Sequence, residues 1–173
     1  VTDVKAVPLV TDFFDGGVRI ATGDCSYTLS SNSASFTPLG TSQSQNQPSF
    51  NVIAAPSSCP WVATTDSDWI TVLTQGIFTG DQTVSYSVAP NTTAAVRVGH
   101  IFVAGTTFTI TEAGCVYTLN PPSQIFAQDG GDGSFQISTA GSCAWEAISD
   151  SNWIQITSDE LGAGIGTIDF HVS

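Results

Sequence analysis

At 173 residues the chain can hold one or two domains with buried cores, and 41% hydrophobic against 10% charged residues excludes a disordered polymer. The net charge is −12, with Lys5, Arg19 and Arg97 the only strong bases, so phosphate neutralisation and hence nucleic-acid binding are excluded and anionic membrane surfaces disfavoured. No apolar run approaches the ~18 residues of a membrane span, so membrane insertion is not expected, and no 3.6-period stripe marks an amphipathic helix.

The chain opens with an arm, residues 1–24, that carries two of the three bases. Cys25-Ser-Tyr27-Thr-Leu29 follows, then a polar stretch, Thr41–Pro48. Cys59-Pro-Trp61 comes next, and Trp69-Ile70 lies eight residues beyond Trp61. Thr83–Val88 alternates outward Thr, Ser and Ser with inward Val, Tyr and Val, the period of a half-buried strand. Two alternating runs around Gly105, Ile101–Val103 and Phe108–Ile110, predict a hairpin.

From Cys115 the pattern starts again. Cys115-Val-Tyr117-Thr-Leu119 repeats the first motif 90 residues on. Cys143-Ala-Trp145, Trp153-Ile154 and Thr167–Val172 repeat the later motifs at a constant 84. The difference predicts a six-residue insertion in the first copy, placed in Thr41–Pro48. Asp129-Gly-Gly-Asp-Gly133 supplies the positive-φ residues of a tight turn. The expected fold is all-β: two tandem immunoglobulin-like antiparallel sandwiches, residues 25–114 and 115–173.

The cysteines follow the repeat. Identical local contexts favour Cys25–Cys59 and Cys115–Cys143, and no two cysteines lie close enough for a zinc motif. Disulfides imply an oxidising compartment, from which a secreted or cell-surface location is inferred, and loops of this size contribute on the order of 3 kcal/mol each.

The run of Cys115, Tyr117, Leu119, Gly130, Gly131, Gly133, Cys143, Trp145, Trp153, Ile154, Gly164, Gly166, Ile168, Phe170 and Val172 resembles the BACON domain. Arg97–Gly105 and Phe108–Gly114 in the first copy look like that family's closing strands, with Glu112 where Gln is common. The resemblance implies an immunoglobulin-like module of extracellular bacterial and phage proteins, often beside glycoside hydrolases. It also implies carbohydrate or mucin binding, with no defined binding residue.

Trp61 and Trp145 read as core residues packed on the disulfides. Trp69 and Trp153 are the better candidates for glycan contact. The carboxylate pairs Asp66/Asp68 and Asp159/Glu160 are local turn residues, whereas glycoside hydrolysis needs two carboxylates facing each other across a cleft. Asp129 and Asp132 offer oxygens to calcium, but the twelve-residue EF-hand pattern is missing. Asn91-Thr-Thr93 is an N-glycosylation sequon expected in an exposed connection. No catalytic motif is present, so the chain reads as a non-enzyme without a cofactor.

Ser173 aligns with Ala89, so the second copy is expected to lack counterparts of Pro90–Gly114, the closing hairpin. The arm resembles that missing piece. Counted back from Cys25, Phe13 falls on Val103, Val18 on Phe108 and Ile20 on Ile110. Two functions follow. In the favoured one the chain is an extracellular filament or surface-assembly subunit whose partners are copies of itself. Phe13, Phe14, Val18 and Ile20 of one copy then meet Ile168, Phe170 and Val172 of the next. In the alternative it is a carbohydrate-binding accessory module of a larger enzyme or adhesin.

Overall fold

A computed structural model of the chain describes residues 9–14, 17–21, 24–41 and 47–173, the first two stretches as backbone alone. Those two form a hairpin, β1 (Leu9–Phe14) with β2 (Gly17–Ala21), which is hydrogen-bonded to no other strand. The described residues contain no helix, and hence none long and apolar enough to cross a membrane.

Ten strands follow: β3 (Ser26–Leu29), β4 (Ser33–Phe36), β5 (Ser49–Ala55), β6 (Pro60–Trp61), β7 (Ala63–Thr65), β8 (Ile70–Val72), β9 (Phe78–Thr79), β10 (Gln82–Val88), β11 (Arg97–Val103) and β12 (Thr106–Glu112). They build two four-stranded sheets, β3-β5-β10-β8 and β4-β12-β11-β7, with β6-β9 as a small ribbon. Strict alternation in β5, exposed at Ser49, Asn51, Ile53 and Ala55 and buried at Phe50, Val52 and Ala54, turns one face inward. The inner faces meet where Phe50 stacks on Phe108 at 4.3 Å and Tyr86 tilts against Phe108 at 5.6 Å.

The remaining strands are β13 (Thr118–Asn120), β14 (Gly131–Ser138), β15 (Ala144–Glu146), β16 (Ile154–Ile156), β17 (Leu161–Ala163) and β18 (Gly166–Val172). Their sheet, β13-β14-β18-β16, has the strand order of β3-β5-β10-β8, and the ribbon β15-β17 corresponds to β6-β9. Side-chain bonds repeat as well. Tyr27 Oη donates to the Pro60 carbonyl at 2.7 Å, and Tyr117 Oη to that of Ala144 at 2.8 Å. Trp61 Nε1 donates to the Gly80 carbonyl at 2.9 Å, and Trp145 Nε1 to that of Gly164 at 3.0 Å. Trp61 is buried beside Phe78, whereas Trp145 lies against Gly162 and Gly166, where an added Cβ would come within 2.1 and 2.2 Å of its ring.

Both disulfides form within a repeat, Cys25–Cys59 and Cys115–Cys143, consistent with an oxidising compartment. The insertion in the first repeat is split. Leu29 pairs with Val52 as Leu119 pairs with Ile137, and Phe50 pairs with Val84 as Phe135 pairs with Ile168. Between Leu29 and Phe50 the first repeat is five residues longer than between Leu119 and Phe135; the sixth lies in the turn before Cys59. A backbone turn can lengthen by one residue outside the sheet without shifting its register, so the motifs stay aligned.

Candidate binding groove

Among the described residues the sheet β13-β14-β18-β16 has no four-stranded counterpart of β4-β12-β11-β7, although Ile137, Ile168 and Val172 on its inner face are buried. In the first repeat β11 and β12 lie between β4 and β7. The second-repeat counterparts of β4 and β7 are residues 123–126 and 147–149, which carry no strand pairing. Beside residues 123–126 opens an apolar groove of about 250 Å³, lined by Leu119, Pro121, Pro122, Ser123, Gln124, Phe126, Phe135, Trp153, Ile154, Phe170 and Val172, with no contribution from residues 147–149.

The floor is aromatic. Phe170 meets Phe126 edge-on at 5.8 Å and Phe135 at 6.1 Å. Phe36, Tyr86 and Phe50 form the same trio in the first repeat, at 6.3 and 6.2 Å, and there Phe108 of β12 caps it. Phe50 and Tyr86, in contact with Phe108, are 2% exposed, whereas Phe135 and Phe170 are only half-buried. Gly133 keeps the floor shallow, since a Cβ there would come within 2.7 Å of Phe170, Gln124 and Phe126. The Gln124 side-chain amide reaches across to donate to the Ser134 carbonyl. Ile125 and Ile148, on the two unpaired edges, are 99% and 76% exposed.

The expected interface residues are placed unevenly. Phe170 and Val172 line the groove, Val172 already buried at 6% exposure, whereas Ile168 on the same face is 1% exposed and lines no part of it, and its counterpart Val84 is buried too. In the β1–β2 hairpin Phe13 pairs with Val18 and Val10 with Ile20, with an irregularity between Val10 and Asp12. Cross-strand partners share a face, so these four residues occupy one face and Phe14, opposite Gly17, the other. The corresponding pairs in the first repeat are Ile101–Phe108 and Gly99–Ile110. With Val18 and Ile20 set on Phe108 and Ile110 as counted, Phe13 falls on Ile101 instead of Val103, because the innermost pair of the arm, Phe14–Gly17, lies one residue later than the counterpart of Val103–Thr106.

Trp153, at the groove rim, is 51% exposed. Trp69 is half-buried and the Arg97 guanidinium covers its ring at 4.3 Å, so its face is not open to a sugar. Arg97 also pairs with Glu112 at 2.8 Å, and Glu112 is itself fully buried. Asn91 is 1% exposed, contrary to the exposed connection expected of the sequon. Its Nδ2 donates to the carbonyls of Ala95 and Ala113 at 2.7 and 3.0 Å, so both amide hydrogens are engaged, and we propose no sugar there. An Asn that must satisfy interior carbonyls looks in sequence like any other Asn-X-Thr.

Two of the candidate carboxylates, Asp66 and Asp132, are each bonded to a histidine. Asp66 accepts from the His100 backbone amide at 2.8 Å and lies 2.8 Å from its ring Nδ1. The His100 hydrogen bond, with help from Ser67, holds its carboxyl down at about 2. Asp132 is bonded to His171 Nδ1 at 2.7 Å, and no group of three metal-ligating side chains converges among the described residues, so Asp129 and Asp132 gain no third ligand.

Disulfide ties, repeated antiparallel sheets and an apolar groove together define a β-sandwich protein with a candidate binding site. Residues 60–111 match BACON, described as "Putative binding domain, N-terminal", and residues 116–173 match the viral BACON domain; the chain belongs to the BACON family. Solved structures match too, among them a Bacteroides ovatus GH5 xyloglucanase in complex with a XXXG heptasaccharide. That match has 18% identity and a TM-score of 0.41 and covers 51% of this chain and 19% of the enzyme chain. No curated protein sequence matches.

Proposed function

We propose that the chain is a non-catalytic, secreted assembly subunit, in which the β1–β2 hairpin of one copy fills the groove in the second repeat of the next. One observation carries this reading. The sheet β13-β14-β18-β16 reproduces β3-β5-β10-β8 without the hairpin that covers the latter, while a hairpin with an apolar face is bonded to no other strand. An added hairpin pairs the open strand edges and fills the floor with alternate side chains. Burying Val10, Phe13, Val18 and Ile20 at ~1.5–3 kcal/mol each gives on the order of 10 kcal/mol before the cost of ordering the hairpin. A head-to-tail contact that does not close into a ring propagates as a fibre.

Deleting residues 1–24 tests this. The full chain should form fibres visible by electron microscopy, and the deleted chain should remain monomeric with a less stable second repeat. A peptide of residues 1–24 added back should restore that stability. Fibres from the deleted chain, or a full chain that stays monomeric, would refute strand addition.

Trp153 favours a second reading, in which the groove binds a glycan chain by stacking. Glycan binding by the full chain, lost in a folded Trp153→Ala variant and independent of residues 1–24, would replace the assembly reading.

A further inference from the structure

We infer that the joint between copies repeats the junction between the two halves of one chain, so that the fibre is a row of equally spaced repeats. This rests on the strand-addition reading and specifies its geometry. Within the chain, β12 completes the first repeat and runs on into β13, the first strand of the next sheet, after five residues. In the joint β2 takes the place of β12 in the neighbour's groove and runs on into β3 after four residues. The strands on either side of the two links are equivalent, since β3 and β13 hold the same edge position in sheets of the same order.

The junction inside the chain also carries a marker that can be transferred. Ser142 Oγ donates to the Pro38 carbonyl at 3.1 Å, across 104 residues of sequence. Ser142 immediately precedes Cys143, and Pro38 lies two residues beyond Phe36 of the aromatic trio. The equivalent of Ser142 in the first repeat is Ser58, which immediately precedes Cys59. The equivalent of Pro38 in the second repeat is Gln128, two residues beyond Phe126. Ser58 and Gln128 are both exposed. A joint built like the internal junction brings Ser58 of one copy against Gln128 of its neighbour. The same surface then serves twice: Ser142 faces its own chain and Ser58 faces the next.

Paired cysteines in the full chain test the geometry. Ser58→Cys with Gln128→Cys should give, under mild oxidation, a covalent ladder at multiples of the chain mass. Pro38→Cys with Ser142→Cys should give a compact monomer that is crosslinked internally. Fibres of the parent chain should show two equal axial steps per chain. If fibres form and require residues 1–24, and the internal control crosslinks, but Ser58→Cys/Gln128→Cys yields no ladder, the joint has another geometry. The inference then falls while strand addition stands. If no fibres form, strand addition falls and takes this inference with it.

Discussion

Replacing Asn91 with alanine should destabilise the first sandwich by about 2–4 kcal/mol. The magnitude follows from its partners. Two donor bonds, to Ala95 and Ala113, disappear at roughly 0.5–1.5 kcal/mol each, and the buried site vacated by the Asn91 side chain adds a similar cost. Two further bonds, from the Thr93 amide at 3.1 Å and its hydroxyl at 2.9 Å, end on Asn91 Oδ1, but Thr93 is exposed and water can replace them. For a sandwich of this size the melting temperature should fall by roughly 10–20 °C. Asn91→Asp should cost at least as much, because a carboxylate oxygen would then face the two carbonyls and sit near Glu112, which accepts from the Asn91 backbone amide at 3.1 Å. Urea titration followed by tryptophan fluorescence gives the loss directly. If either variant unfolds within ~0.5 kcal/mol of the parent, Asn91 does not anchor this loop.

Acid should act through Asp66. Its carboxyl, depressed to about 2, adds stability that is complete above about pH 4 and disappears as pH falls towards 2, so Asp66→Asn should flatten that part of the acid-unfolding curve. Gly166→Ala should selectively destabilise the second repeat, since the new methyl would meet the Trp145 ring at 2.2 Å and Trp145 is fixed by its bond to Gly164; differential scanning calorimetry should show a lower transition there. Trp153 should be quenched by acrylamide in dispersed chains and shielded in fibres, and equal quenching in both states would count against the groove as the joint. Non-reducing peptide mapping should recover Cys25–Cys59 and Cys115–Cys143.

The repeated part of the fold was legible because its residues do the same local task twice. Each cysteine, the tyrosine two places after Cys25 or Cys115, and the tryptophan two places after Cys59 or Cys143 recur with the same bonds. Phe170 and Val172 were legible as lining from strand alternation. Ile168 shares their face, yet sits deeper in the sheet where neighbours already cover it. Phe126 and Phe135 were missed; their signal was available in Phe36 and Phe50, which lie outside the spaced motifs. Trp69 could not be assigned from sequence, because Arg97, which covers it, lies 28 residues away. The pairing inside the arm was not legible, since the position of a hairpin turn sets the register of both strands without altering composition.

The two disulfides also set how far the chain can be drawn out. Each closes the opening of its repeat onto a point well inside it, with separations of 34 and 28 residues. Pulled from its ends, an unfolded chain loads the sulfur bridges and leaves those two segments slack. At ~3.4 Å per extended residue, about 200 Å of length is withheld until a reductant cuts the bridges. Under tension the protein therefore behaves as a short tether in oxidising surroundings and a much longer one after reduction.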